Sequence, residues 1–139
     1  MTIIVSACLL GENCKYNGGN NYCRELVEKL AGHTLIPVCP EVLGGLPVPR
    51  TPAEILKGEV TNREGISVDI EFREGAKRAL EIARGSKPDL IILQSRSPSC
   101  GVGKIYDGTF TGKLVPGNGV FAQIAIDAGF NVVDVEEWI

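Results

Sequence analysis

The sequence predicts a three-layer α/β fold, a mostly parallel sheet of about four strands with helices on both faces. Three observations carry that prediction. Short β-branched runs alternate with helical periodicities in the order β-α-β-loop-α-β-loop-α-β, the pattern of parallel strands joined by helical crossovers. The runs Ile3–Ala7 and Asp89–Gln94 are short and apolar, in the manner of strands buried inside a sheet. A chain of 139 residues with 44% hydrophobic content is long enough to bury a core of its own.

Taken in order, Ile3-Ile4-Val5-Ser6-Ala7 is the first strand and leads into a glycine-rich loop. This apolar start has no cationic leader, and Gly11, Glu12 and Asn13 interrupt it early, so it reads as a strand and not as a signal peptide. Between Asn21 and Ala31, the residues Tyr22, Cys23, Leu26, Val27 and Leu30 share one helical face, and Gly32 supplies a stop. Thr34–Val38 is the second strand. Pro37 removes a ladder donor from it, which places Pro37 near an edge or a strand end.

From Cys39 to about Thr61 the chain is irregular, with Pro40, Pro47, Pro49, Pro52 and a Gly44-Gly45 pair. Loops of that length inside a compact domain are usually functional. Asp69 is expected to cap a helix running to about Arg84, with Phe72, Ala76, Ala79, Leu80 and Ala83 on its inner face. After the clearest strand, Asp89–Gln94, a second functional-looking loop runs from Arg96 to Leu114. Val120, Phe121, Ile124, Ala125 and Ala128 mark a last helix stopped by Gly129, and Asn131–Val135 a last strand. With no repeat, linker or low-complexity tract, residues 1–139 are expected to form a single domain.

The charge balance, 14 basic against 17 acidic side chains, lacks the footprint of a general nucleic-acid binder. No stretch approaches the roughly 20 apolar residues of a membrane helix. A cytoplasmic location is the default expectation. Five cysteines without a secretory signal argue against a disulfide framework, because the cytosol keeps thiols reduced.

The positions of those cysteines matter more than their number. Cys8 directly follows the first strand, Cys39 directly follows the second, and Cys100 lies a few residues past the third. Ligands of open parallel sheets bind in the crevice at the carboxyl ends of the strands. A lone cysteine is more often a core residue. Three at equivalent topological positions point to a shared site. Cys23 sits on the inner stripe of its helix and reads as packing; Cys14, in the same loop as Cys8, is a candidate fourth ligand, a neighbouring free thiol or a structural residue. Three thiolates suit a soft metal, either zinc or an iron–sulfur cluster, and there is no CxxC pair to signal a zinc ribbon.

The runs SACLLGENCKYNGG, IPVCPEVLGGLPVPRTPAEI and QSRSPSCGVGKIYDGTFTGKLVPGNGV resemble the DUF523 family, whose characterised relatives include a thiouracil desulfurase, in order and over essentially the whole chain. The resemblance implies a [4Fe–4S] cluster held by Cys8, Cys39 and Cys100, with one open iron, and a non-redox removal of sulfur from a thiolated pyrimidine. Cys14 stands where some relatives have valine, which makes it the weakest ligand candidate. Lys15, Asn17 and Thr51 replace a more usual Arg, Asp and Pro; if the Arg–Asp pair shapes the substrate loop, the first two bear on substrate preference.

Such chemistry needs a base to activate water, and Glu41, two residues past Cys39, is the best placed carboxylate. Ser97 and Ser99 beside Cys100 are candidates to orient water or relay a proton, with Ser97 favoured and either alternatively a turn residue. Gly101 and Gly103, with Gly44 and Gly45, are expected to let backbone donors approach the cluster. Arg50 and Arg96 are candidates to hold an anion or pair with a carboxylate. Tyr16, Tyr106 and Asp107 are candidates to line the substrate pocket. His33 is expected to serve the end of its helix. The expected activity is an iron–sulfur-dependent desulfidase of a small-molecule thiolated pyrimidine, with a tRNA-derived substrate as a variant. A cluster or metal carrier without catalysis and a zinc-dependent hydrolase are the competing readings.

Overall fold

The two apolar runs become the two central strands of one sheet. The computed structural model describes residues 1–139. Strands β1 (Thr2–Ser6), β2 (Thr34–Val38), β5 (Leu90–Leu93) and β8 (Val132–Asp134) pair in the order β2-β1-β5-β8, and every pairing is parallel. All four residues of β5 are buried, whereas β2, at the edge, is mostly half-exposed. Pro37 therefore lies on an edge strand, where a missing N–H costs least.

Side chains alternate across this sheet and divide the core in two. Ile4, Ile91 and Leu93 face α3 (Asp69–Ser86) and α4 (Val120–Asp127), meeting Phe72, Ala76, Ala79, Ala83, Phe121 and Ala125. Ile3, Val5, Leu90 and Ile92 face the opposite way, onto Leu26 and Leu30 at the inner side of α1 (Arg24–Lys29), and onto Val135 of α5 (Val135–Trp138). Each fully buried aliphatic or aromatic side chain of this kind contributes about 1.5–3 kcal/mol. Cys23 packs against the second cluster, but from the extended N-cap just before α1 and not from the helix, and Tyr22, expected on the same inner face, is exposed.

Two long loops hold more structure than the sequence suggests. The first contains a helical turn α2 (Pro40–Leu43) and a hairpin of β3 (Ala53–Leu56) and β4 (Glu59–Asn62); the second contains a hairpin of β6 (Lys104–Tyr106) and β7 (Leu114–Pro116). Asp69 does not cap α3. Val68 occupies the cap, and the Asp69 carboxylate instead accepts the Val60 N–H at 2.9 Å and the Arg73 Nε–H at 3.3 Å, tying the helix to β4. His33 likewise finds a different partner, the Met1 ammonium at 3.0 Å from Nδ1.

The seat of α2 depends on two missing side chains. A Cβ on Gly75 of α3 would overlap the Pro40 carbonyl oxygen, and one on Gly44 would overlap that of Glu71. The two helices thus meet backbone to backbone, which fixes the segment that follows Cys39. No helix is long and apolar enough to cross a membrane.

Candidate functional site

Three loops leave the carboxyl ends of β1, β2 and β5 and enclose one cavity of about 520 Å³. Each brings a thiol. Cys8 lies in a single 3-10 turn (Ala7–Leu10) that Gly11 ends at φ 98°. Cys39 occupies the N-cap of α2, and Cys100 follows β5 in the Ser97–Gly101 turn. Cys14 reaches the same cavity from the loop after Cys8. None of the five cysteines forms a disulfide. No three His, Cys, Asp or Glu side chains converge tightly enough to hold a single metal ion.

The thiols have different neighbours. Asn21 Nδ2 donates to Cys8 Sγ at 3.5 Å, and Cys39 Sγ lies 3.8 Å from the Cys14 carbonyl oxygen. Hydrogen bonding from the Cys14 thiol, helped by the Val42 N–H and the Arg50 guanidinium, outweighs burial and lowers Cys39 to a pKa of about 7. Cys14 is raised by the same hydrogen bond and by burial. Burial raises Cys8, and it pushes Cys100 up to about 12 in spite of hydrogen bonds from Ser6 and Ser99.

Beside the thiols runs a continuous polar chain. Glu41 Oε2 accepts the Ser99 hydroxyl at 2.8 Å, and Glu41 Oε1 accepts Arg50 Nε–H at 3.1 Å. Arg50 also donates to the Cys14 carbonyl at 2.8 Å and the Pro47 carbonyl at 3.2 Å. Of the two roles foreseen for Arg50, the structure gives it the carboxylate. Its fork is spent on protein acceptors and holds the Cys14 loop against Glu41.

The serines exchange the emphasis the sequence suggested. Ser97 Oγ accepts the backbone N–H of Ser99 and of Cys100, each at 3.1 Å, and so builds the turn. Ser99, 3.6 Å from Cys100 Sγ, is the hydroxyl that meets Glu41.

Tyr16, Tyr106 and Arg96 line the cavity, although Arg96 is paired with Glu136 at 3.0 Å. Asp107 does not line it. Its carboxylate is occupied within its own turn by the Thr109 N–H and hydroxyl. Gly101, Gly103, Gly44 and Gly45 also lie outside the lining, and the first two spend their N–H groups on Ser97 O and Asn118 Oδ1. Sequence reasoning missed Ser6, Asn21, Glu54, Arg63 and Phe110, all within or beside the cavity. For Glu54 and Arg63 a signal existed. Lys57-Gly58, both at positive φ, form a two-residue hairpin turn, and its trace in the sequence is a glycine between Ile55-Leu56 and Val60-Thr61.

Known proteins resemble this chain along nearly its whole length. Residues 3–137 match the 2-thiouracil desulfurase family. A protein of Bacillus subtilis (strain 168), the uncharacterized YbbK, is 37% identical over 145 aligned positions, covering 97% of this chain and 96% of its own. A solved structure of the [4Fe-4S]-dependent thiouracil desulfidase TudS, of the DUF523 group, superimposes with a TM-score of 0.91 at 37% identity, covering 98% of this chain and 91% of its own.

Proposed function

This chain belongs to the 2-thiouracil desulfurase family, and from that premise we propose that it removes sulfur from a thiolated pyrimidine at a cluster held by Cys8, Cys39 and Cys100. The observation that carries the reading is the Ser99–Glu41 pair, a hydroxyl bonded to a carboxylate on the wall that also bears the thiols. A carrier of metal or clusters has no use for such a pair.

The donor set fits the group. Three thiols from three segments are a soft ligand set, and Cys14, turned toward Cys39, is left as a neighbour. A single zinc ion needs its sulfurs all at about 2.3 Å from one point. A cluster would instead meet thiols that arrive on separate loops, as Cys8, Cys39 and Cys100 do here. When bound, a [4Fe–4S] cluster with one iron lacking a protein ligand supplies a Lewis acid with affinity for sulfur.

The remaining work falls to side chains. The cavity holds the base with its thiocarbonyl toward the thiol-bearing loops. Glu41 takes a proton from water as its oxygen bonds to the thiocarbonyl carbon, and the Ser99 hydroxyl, already bonded to Glu41, orients that water and relays the proton. A carbon–oxygen bond forms, the carbon–sulfur bond breaks, and sulfide leaves with the protons. The products are the oxo-pyrimidine and hydrogen sulfide, with no net oxidation or reduction. Arg50 keeps Glu41 in place throughout.

Anaerobic reconstitution should yield about four irons and four sulfides per chain, followed by sulfide release from at least one thiolated base. Protein that takes up no cluster, or a Cys39→Ser variant with full activity, would sink the proposal. Cluster uptake with release from no thiolated pyrimidine, but transfer to an acceptor protein, would favour a carrier. A thiolated tRNA fragment in the same screen separates that substrate from the free base.

A further inference from the structure

Phe110 stands apart among the aromatic residues of the cavity wall, because its backbone is held in the left-handed region at φ 59°. A bulky side chain is rare there, since its Cβ crowds the following carbonyl oxygen. Such a conformation persists only where the surroundings over-determine it. Here they do. Glu54 Oε1 accepts the Gly108 N–H at 3.0 Å and the Phe110 N–H at 3.2 Å. Gly108, at φ 95°, lies so close to β3 that a Cβ would come within 2.8 Å of the Ile55 carbonyl oxygen. The turn is thereby pinned from the opposite hairpin.

Core packing does not account for this arrangement, because Phe110 belongs to neither apolar cluster. Its ring instead lines the cavity, with the Arg63 guanidinium 5.6 Å from the ring centroid. Arg63 is itself fixed on β3–β4 through its N–H to the Pro52 carbonyl at 2.9 Å. The two hairpins that sequence reasoning took for loops thus cooperate to present one aromatic ring, half-buried, to the cavity.

We infer that Phe110 is the surface on which the pyrimidine ring of the substrate stacks, with Glu54 as the positioning residue that holds it there. The inference rests on the proposed reading of the cavity as a thiolated-pyrimidine site. Glu41 and Ser99 act on the bond that breaks; Phe110 selects the class of molecule that reaches them. A planar heteroaromatic ring gains from an aromatic face, and a saturated ring with the same hydrogen-bonding edge does not.

The test compares anaerobically reconstituted wild type with Phe110→Leu, Phe110→Gly and Phe110→Trp. It measures KM for 2-thiouracil, and Kd for uracil and for 5,6-dihydrouracil. Loss of a stacking partner should weaken uracil and raise KM by about 5- to 100-fold in the Leu and Gly variants. Phe110→Trp should retain wild-type affinity, and dihydrouracil binding should change less than about twofold in all three. Gly takes up φ 59° freely, so that variant keeps the turn while losing the ring. Glu54→Ala should share the loss, and Glu54→Gln, which keeps an acceptor, should recover it. Uracil affinity within about twofold of wild type in Phe110→Leu, or equal weakening of both rings, overturns the assignment. Wild type that releases sulfide while Phe110→Leu is unaffected removes the stacking role alone. Wild type that binds neither base and releases no sulfide removes the functional reading and this inference together.

Discussion

Arg50→Ala should destabilise the protein by about 3 kcal/mol, and the reasoning comes from where its fork is spent. The side chain is 7% exposed and that of its partner Glu41 is 16% exposed, so neither charge is well solvated. Removing one member of a buried pair costs about 3–5 kcal/mol, mostly because the other charge stays behind unpaired. Two features pull this case to the lower end. Glu41 keeps the Ser99 hydroxyl, and its open cavity admits water. Against that, the Cys14 and Pro47 carbonyls each lose a donor. For a chain of this size about 3 kcal/mol corresponds to a fall in Tm of about 10 °C. Urea unfolding of the cluster-free protein measures it, with the m-value as a check that the denatured state is unchanged. The double variant Arg50→Met with Glu41→Gln should recover much of the loss, because neutralising a buried pair altogether is often nearly free. Arg50→Ala within about 0.5 kcal/mol of wild type, or a double variant no more stable than Arg50→Met alone, would refute the argument.

The two serines should separate by assay. Glu41→Gln and Ser99→Ala should each lower kcat for sulfide release by about 10²- to 10⁴-fold with iron content unchanged, as expected for a base and its relay. Ser97→Ala should mainly cost stability, about 1–2 kcal/mol in urea, since its hydroxyl serves two backbone N–H groups. Thiol titration offers a pH test in the cluster-free protein. Cys14, raised by the hydrogen bond it shares with Cys39, contributes stability below pH 9.0 that is lost as pH rises beyond it. Cys39, with a folded pKa of about 7 against 9.0 for an ordinary thiol, contributes stability that is full above pH 9.0 and lost as pH falls through about 7. Cys100, at about 12, does the reverse, its contribution present below pH 9.0 and lost as pH rises beyond it. Peptide mapping after iodoacetamide should therefore show Cys39 half-maximally reactive near pH 7, with Cys8 and Cys100 inert until the medium is alkaline. Equal labelling of all three at neutral pH would contradict this. Gly75→Ala should lower stability by about 3 kcal/mol or more, because its Cβ meets the Pro40 carbonyl with no side chain able to yield. A wild-type melting temperature would show that α2 can shift.

Much of this architecture was legible because it rests on signals that survive in a single sequence. Ile3–Val5 and Leu90–Leu93 are buried on both faces, and strands of that kind announce themselves by composition. The thiols were found by topology, since a residue just past a parallel strand can only lie at one end of the sheet. What escaped was carried by pairings between distant segments. Glu41 meets Ser99 across 58 residues and Glu54 meets Phe110 across 56, and no local spacing encodes either contact. Ser97 and Ser99 look alike in sequence. Both line the cavity, and the difference lies in which hydroxyl serves the backbone of the turn and which meets Glu41. Asp69 and Asp107 were misjudged for a related reason, each carboxylate being consumed by a backbone donor that only the fold supplies.

The strand order explains why these loops can share a site at all. After β1 the chain crosses to β2 on one side with α1 on one face. It then returns past β1 to β5 with α3 on the opposite face. Right-handed crossovers require that change of face when the direction reverses. The loops after β1 and β5 therefore diverge, and a crevice opens between them at the carboxyl ends of the two central strands. Cys8 and Cys100 stand on its two lips, with Cys39 beyond Cys8 at the end of β2. The main sheet can place the thiols but cannot close the crevice. That falls to the β3–β4 and β6–β7 hairpins, which contribute Glu54, Arg63, Tyr106 and Phe110 to its wall. On the proposed reading, the thiols that would hold the cluster and the side chains that would choose the substrate come from different structural layers. Substitutions in the hairpins should therefore alter which thiolated molecule is admitted without disturbing the three thiols.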